Sequence, residues 1–259
     1  YIFDHAWANA YERAGGKYYP KIQVAVPFTP VPGKRLLANN ENQEKAFPIL
    51  LEGIKSFAAK NNLSSAHITF CSFDEFKKGG SLGLLKRTSS QYHWKNDGYE
   101  NFQDFLDALS SRKRKNIKKE RERAKSFGGE IVRYSGKEIT EQHWDAFWNF
   151  YQDTGRRKWG QPYLTRNFFE IAGKKLKNEL LMILAEIDGN PIAGALNFVG
   201  QDALFGRYWG CTENYSNLHF EICYYQAIEY AIENRLSRVE AGAQGEHKLA
   251  RGYMPSHTY

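Results

Sequence analysis

The most continuous apolar pattern of the chain covers residues 218–234 and has the period of a helix. Apolar or aromatic side chains recur at spacings of three and four, and Gln226, Glu229 and Glu233 form a narrow polar stripe. The pattern predicts a buried helix about 25 Å long at 1.5 Å per residue. A short strand, residues 237–241, is predicted to follow it.

Helix and strand patterns alternate on both sides of Gly128-Gly129. On the N-terminal side they predict a helix at 4–14 capped by Asp4, further helices at 41–61, 73–78 and from 102 into a basic segment, and strands at 21–28, 66–71 and 82–94. On the C-terminal side they predict a strand at 130–134, a helix after Thr140, a helix at 166–176 and three strands joined by tight turns. We therefore expect an α/β (α+β) fold of mixed sheets flanked by helices, with halves at 1–110 and 129–259 and a basic bridging helix at 111–128.

Composition narrows the class of protein. The chain has 259 residues, is 42% hydrophobic and carries a formal charge of +7, which suits a soluble globular protein with an anionic partner. Its three cysteines stand far apart with no CxxC, so neither a disulfide framework nor a zinc cluster is indicated, and a cytoplasmic location is the simplest expectation. No HExxH or comparable ligand set occurs, no apolar run is long enough to span a membrane, and we expect no metal. The chain begins within a structural pattern and is expected to be a fragment whose first half lacks its beginning.

Two basic segments are candidates for contact with phosphates. The first is the bridging helix, which could bind nucleic acid or a phosphorylated precursor or could simply be a solvated helix; its candidate residues are Arg112, Lys113, Arg114, Lys115, Lys118 and Lys119. The second lies between two predicted helices and would suit a flat or phosphorylated ligand; it contains Arg156, Arg157, Lys158 and Trp159. His93 and Trp94 could line a pocket, although an edge strand explains them equally well.

The segment after the predicted strand at 237–241 is too rich in functional side chains to be a simple connection. Glycines there let the backbone approach a ligand, and the neighbouring side chains supply acceptors, donors and charge. The ligand-binding candidates of this region are Arg207, Trp209, Gly242, Gln244, Gly245, Glu246, Lys248, Arg251 and Tyr253. Glu240 and His247, followed by Glu221 and His219, are the candidate acid–base groups. Glu221 would also be favourable in the first turn of any helix, and Glu240 could instead pair with Arg251 or Lys248.

Seven segments spread over nearly the whole chain carry a family resemblance: HAWANAYERAGGKYYPK, VAVPFTP, LSSRKRKNIKKERERA, RKWGQPYLTR, GALNF, GRYWGC and VEAGAQGEHKLARGY. Together they are similar to the Fem-like predicted N-acyltransferases, a family related to the Fem-type aminoacyl transferases of the GNAT superfamily. The resemblance implies tandem GNAT-like folds, the first incomplete, and transfer of an acyl group to an amine. Fem enzymes take an aminoacyl group from aminoacyl-tRNA and place it on the stem peptide of a peptidoglycan precursor.

One departure bears on the donor. Acyl-CoA-dependent GNAT enzymes have a glycine-rich pyrophosphate loop between the last hairpin strand and the next helix, whereas this chain reads CTENYSNLHFE there. We therefore expect no permanently bound cofactor, an acyl donor that is aminoacyl-tRNA or, less readily, acyl-CoA, and a small-molecule amine as acceptor. In this reaction Glu240 or His247 would take the amine proton and the amides near Gly242 and Gly245 would stabilise the oxyanion. The alternatives are a non-catalytic module that binds RNA or a cell-wall precursor, and an ordinary acyl-CoA-dependent N-acetyltransferase.

Overall fold

The computed structural model describes residues 4–159, 162–242 and 245–259, which form two compact units. The first comprises Tyr1–Gln91 and His257–Tyr259, and the second comprises Tyr92–Ser256. Within the described residues, no helix is both long and apolar enough to cross a membrane. The predicted fold class, mixed sheets flanked by helices, is confirmed.

The described residues of the first unit contain three α-helices and a two-stranded parallel sheet. The helices are α1 (His5–Arg13), α2 (Gln43–Lys60) and α3 (Phe73–Ser81), and the strands are β1 (Ile22–Val24) and β2 (Ala66–Ile68). Ser72 and Glu75 form a capping box at the start of α3, and the helix runs through Gly79-Gly80 instead of stopping there. The strands are shorter than predicted.

Asp4 does not cap α1 through its side chain, contrary to the prediction. Its buried carboxylate instead accepts hydrogen bonds from the hydroxyls of Tyr18 (2.9 Å) and Tyr19 (3.2 Å) and pairs with the ammonium of Lys21. These tertiary partners satisfy the carboxylate better than a single backbone N–H, because buried carboxylates require several donors.

The second unit is built on a seven-stranded mixed sheet in the order β4-β5-β6-β7-β8-β3-β9. The strands are β3 (Ser89–Lys95), β4 (Glu130–Ser135), β5 (Leu180–Ile187), β6 (Asn190–Val199), β7 (Ala203–Cys211), β8 (Arg238–Glu240) and β9 (Met254–Thr258). The predicted turn Asp188-Gly189 joins β5 to β6, and both residues have positive φ, as a two-residue hairpin requires. β7 and β8 are parallel neighbours.

Helices cover both faces of this sheet. The helices are α4 (Phe102–Asp107), α5 (Ser111–Ala124), α6 (Glu141–Trp159), α7 (Arg166–Lys175) and a long helix made of α8 (Leu218–Phe220), a π-helical turn (Glu221–Tyr225) and α9 (Gln226–Glu233). Alternate residues of β5 belong to two apolar clusters: Leu181 and Ile183 lie in one with Ile228, and Met182 and Leu184 lie in the other with Phe147. A strand buried on both faces reads as a continuous apolar run, which is why β5 and β6 were predictable.

The structure differs from the predicted pattern in three places. The single helix predicted from residue 102 into the basic segment is two helices, α4 and α5, and both contribute to the core of the second unit through Phe105, Leu106 and Ile117. Residues 82–88 are not strand, and residues after Gly242 form a 3-10 helix, Glu246–Arg251, followed by β9. The predicted division into halves at 1–110 and 129–259, joined by a bridging helix at 111–128, stays a prediction.

Candidate functional site

The site is organised by the point at which β7 and β8 part. Their parallel pairing covers only Ala203 to Phe205 on β7, and Phe205 lies opposite Glu240, the last residue of β8. β7 continues to Cys211 while bonded to β6 on its other side. In the part of the chain that the structure describes, β7 has no strand partner on the β8 side beyond Phe205. An unpaired strand edge offers backbone groups to a ligand, and α/β sheets bind ligands near the carboxyl ends of parallel strands.

Glu240 ends β8 with a buried carboxylate. Oε1 accepts a hydrogen bond from Arg238 Nε at 2.9 Å, so the alternative pairing with Arg251 or Lys248 is wrong. Oε2 has no hydrogen-bond partner among the described residues and lies 3.7 Å from Nε2 of His93, its register partner on β3. Burial raises the pKa of Glu240. Burial, followed by the charges of Arg238 and Lys248, lowers the pKa of His93 to about 4, so His93 is neutral at pH 7.

Lys248 is a buried cation in the same short helix as the buried Arg251. It is 2% exposed, and its ammonium donates to the carbonyl oxygen of Gly242 at 3.0 Å. Across residues 4–159, 162–242 and 245–259 it makes no ion pair with a carboxylate. Burial lowers the pKa of Lys248 to about 8. A buried ammonium without a counter-ion is costly to fold, and this cost is typical of groups retained for function.

The 3-10 helix after Gly245 lies against the front of the long helix. Nε2 of His247 is 2.9 Å from the hydroxyl of Tyr224, and its ring is 5.9 Å from that of Phe220. The Arg251 guanidinium lies 3.4 Å from the centroid of the Phe220 ring and donates to the backbone oxygen of His247 at 2.7 Å. Nε and Nη2 of Arg251 also donate to Glu120, at 3.0 and 2.7 Å, which fixes this short helix to α5. Arg251 is therefore occupied by protein contacts.

The end of β7 reaches the same helix front. The ring of His219 is 5.1 Å from that of Trp209 and 5.6 Å from that of Tyr224. The guanidinium of Arg207 lies 5.3 Å from the ring of Tyr208. Three segments that are distant in sequence, the end of β7, the front of the long helix and the loop after β8, thus meet through an aromatic cluster of Trp209, His219, Phe220, Tyr224 and His247.

Two glycines of this loop have backbone conformations that favour glycine over other residues. Gly242 and Gly245 both have positive φ, +80° and +114°. A Cβ on Gly245 would also lie 2.5 Å from the ring of His247. Exposed Glu246 follows Gly245 at the start of the 3-10 helix. Gln244 lies outside the described residues.

Other predicted residues have structural partners. Glu221 is buried and accepts hydrogen bonds from Arg121 at 2.9 and 3.1 Å and from Gln226 at 2.9 Å. Trp94 lies in the core against Phe105, and Tyr253 is fully buried. These contacts account for Glu221 without a ligand, whereas Nε1 of Trp94 and the hydroxyl of Tyr253 are buried with no hydrogen-bond partner among the described residues.

The two basic segments contain both side chains that bind other protein groups and side chains that are exposed. Arg157 donates to the carbonyl oxygen of Cys211 at 3.1 Å and pairs with Asp153, and Arg156 is exposed. The side chains of Lys158 and Trp159 lie outside the described residues. On α5, Arg114 pairs with Asp107 at 2.9 Å and Lys113 is half-buried. A shallow cavity of about 470 Å³ is lined by Ser111, Arg114, Lys115, Lys118, Lys119 and Glu122.

Sequence reasoning missed Tyr224, Phe220, Arg238 and Glu120. Tyr224 and Phe220 belong to the aromatic and apolar periodicity that predicts a buried helix, and this periodicity does not distinguish a ring in the core from one at the candidate site. The π-helical turn also had no sequence signal, although such turns often occur at functional sites.

The family model of FemAB-like proteins, described as peptidoglycan biosynthesis/recognition, matches residues 1–259. The chain belongs to the FemAB-like family. No curated protein matches it in sequence.

Solved structures similar to this FemAB-like chain include FemX, with a TM-score of 0.56 at 13% identity, covering 90% of this chain and 82% of that one. They also include L-PGS from Bacillus licheniformis, with a TM-score of 0.53 at 9% identity over 83% and 72% of the two chains. The C-terminal domain of a putative lysylphosphatidylglycerol synthetase from Agrobacterium fabrum has a TM-score of 0.51 at 9% identity over 83% and 73%. At these identities the likeness establishes a shared fold.

Proposed function

We propose that this FemAB-like protein is an N-acyltransferase that moves an acyl or aminoacyl group from an activated donor to an amine acceptor. The observation that carries the proposal is Lys248, a buried ammonium without a carboxylate partner in the described residues, next to the point where β7 and β8 part. The missing counter-ion is supplied by the oxyanion that forms when an amine attacks a carbonyl, and fixed positive charge at such a position stabilises the transition state.

The proton of the attacking amine needs an acceptor. His247 adjoins Lys248, is exposed, and has its ring oriented by the hydroxyl of Tyr224. Oε2 of Glu240 has no hydrogen-bond partner among the described residues, but this carboxylate is buried and already paired with Arg238 through Oε1. We therefore assign His247 as the base and Glu240 as a positioning residue beside His93.

In the proposed reaction the amine nitrogen forms a bond to the donor carbonyl carbon while its proton passes to His247. The carbonyl oxygen becomes an oxyanion beside Lys248. Collapse of this intermediate breaks the bond to the leaving group, which is a ribose oxygen for an aminoacyl-tRNA or a sulfur for an acyl-CoA, and the leaving atom takes the proton from His247. The segment after β7 lacks the glycine-rich pyrophosphate loop, which favours the aminoacyl ester. The family description supports a peptidoglycan stem peptide as the source of the amine.

The test is transfer of radiolabel from a mixture of charged tRNAs, or from labelled acetyl-CoA, to a peptidoglycan stem-peptide precursor. We expect product with the tRNA donors, a turnover rate at least about 100-fold lower for Lys248→Met and His247→Ala, and retained binding of the precursor. Lys175→Met, an exposed lysine at the end of α7 and outside the candidate site, serves as the matched control. Binding of the precursor without transfer from either donor would overturn the proposal in favour of a recognition module.

The base is assigned by the pH profile. If His247 is the base, the acidic limb of the turnover rate disappears in a slow but measurable His247→Ala enzyme and persists in Glu240→Gln. The reverse result would transfer the role of base to Glu240.

A further inference from the structure

The outer face of α5 carries positive charges that acidic residues of the described chain do not neutralise. Five cations there are exposed and make no ion pair in the described residues: Arg112, Lys115, Lys118, Lys119 and Arg123. Glu122, an acidic residue on this face, pairs with Lys125. Surface cations of a folded domain are usually interspersed with acids, so an uncompensated row of this kind marks an anionic partner.

These five cations lie on one side of α5. At 3.6 residues per turn, Lys115 and Lys119 lie opposite the buried Ile117 and Ala124, and the other three cations lie within about 70° of that line. The row runs from Arg112 to Arg123, so it is about 17 Å long at 1.5 Å per residue. All five side chains can therefore touch one flat surface at once.

A flat anionic surface suits this row better than an RNA helix. A duplex is itself a convex cylinder, and its major groove is too narrow and deep to admit an α-helix. Unpaired RNA is held mainly by stacking on aromatic side chains, and the described outer face of α5 exposes none. The face exposes no apolar side chain for insertion either, so contact with a bilayer would be electrostatic and reversible.

We propose that the outer face of α5 docks the protein on an anionic membrane surface through lipid phosphates and carboxylates. The inference does not depend on the proposed transferase activity. A polybasic row of this length is in the range that binds acidic lipids, with a gain of about fivefold in partitioning for each cation near the surface.

The experiment is sedimentation of the full chain with sucrose-loaded vesicles of phosphatidylcholine alone or with 30 mol% phosphatidylserine. The test variant is Arg112→Gln/Lys115→Gln/Lys119→Gln. The matched control, Lys137→Gln/Lys174→Gln/Lys175→Gln, removes the same charge from exposed residues elsewhere in the second unit. Thermal melting followed by circular dichroism checks that both variants fold.

We expect the chain to bind the phosphatidylserine vesicles, the α5 variant to bind them about 100-fold more weakly, and the control variant to change by less than about threefold. Raising the salt from 0.1 to 0.5 M should release the wild type. Equal partitioning to both kinds of vesicle, or equal weakening by the two variants, would overturn the proposal. Binding of a tRNA mixture that depends on α5, without binding to vesicles, would also overturn it and assign the face to RNA.

Discussion

Arg121 joins α5 to the long helix, and its removal should be among the most destabilising single changes in the second unit. Its guanidinium donates to Glu221 at 2.9 and 3.1 Å and to Glu229 at 2.8 and 3.1 Å, and it lies 4.4 Å from the centroid of the Phe102 ring. The change to test is Arg121→Met, which keeps much of the side-chain volume and removes the charge.

The expected cost follows from burial. The side chain of Glu221 is 6% exposed and, among the described residues, would keep only the amide of Gln226 as a donor, whereas Glu229 is 24% exposed and keeps Arg133. Removing one partner of a buried pair costs about 3 to 5 kcal/mol. Since Arg121 is 23% exposed, we expect the lower end, about 3 kcal/mol.

The measurement is urea unfolding followed by circular dichroism, in a double-mutant cycle with Glu221→Gln. Arg121→Met/Glu221→Gln removes both charges and should recover about 1 to 2 kcal/mol relative to the sum of the single changes. Glu221→Gln alone should lower stability but change the turnover rate by less than about threefold once the folded fraction is corrected. A loss below about 1 kcal/mol for Arg121→Met, or additive single changes, would refute the structural role. If Glu221→Gln instead slowed turnover about 100-fold at unchanged stability, Glu221 would return to the catalytic residues.

Two further predictions concern buried polar groups near the long helix. Burial lowers the pKa of Lys248 to about 8, below that of a lysine in the unfolded chain. Above pH 8 the lysine is therefore protonated in the unfolded state and largely neutral in the folded state. Because the unfolded state binds more protons, this residue makes the free energy of unfolding rise with pH. The free energy of unfolding of wild type minus that of Lys248→Met should therefore increase between pH 7.5 and 9.5, and a flat difference would contradict the shift. The Tyr253 hydroxyl is fully buried and has no hydrogen-bond partner among the described residues, so Tyr253→Phe should leave the urea midpoint unchanged or raise stability by about 1 kcal/mol; a loss of that size would mean that the hydroxyl has a partner.

The elements that the sequence predicted well are those with a complete periodic pattern. The long helix, β5, β6, β7 and the Asp188-Gly189 turn bury continuous apolar surface or require positive φ, and both properties can be recognised from local sequence. The 3-10 helix at Glu246–Arg251 has neither property: it is held by Arg251 reaching Glu120 and by Lys248 reaching Gly242. Its shape is a tertiary result that local patterning does not contain.

The same distinction applies to the candidate site. Residue types and glycine spacing identified the loop after β8, but they could not separate Glu221 from Glu240 or His247, because each is an acid–base group near the long helix. What separates them is the partner across the fold: Arg121, a hundred residues away, neutralises Glu221, whereas Oε2 of Glu240 has no hydrogen-bond partner and the ammonium of Lys248 has no carboxylate partner in the described chain. A pattern along the sequence shows that a charged side chain is buried but not whether another side chain neutralises it. An anionic ligand beside Lys248 would supply the partner that the described residues do not, so the proposed function rests on this lysine more than on any motif that contains it.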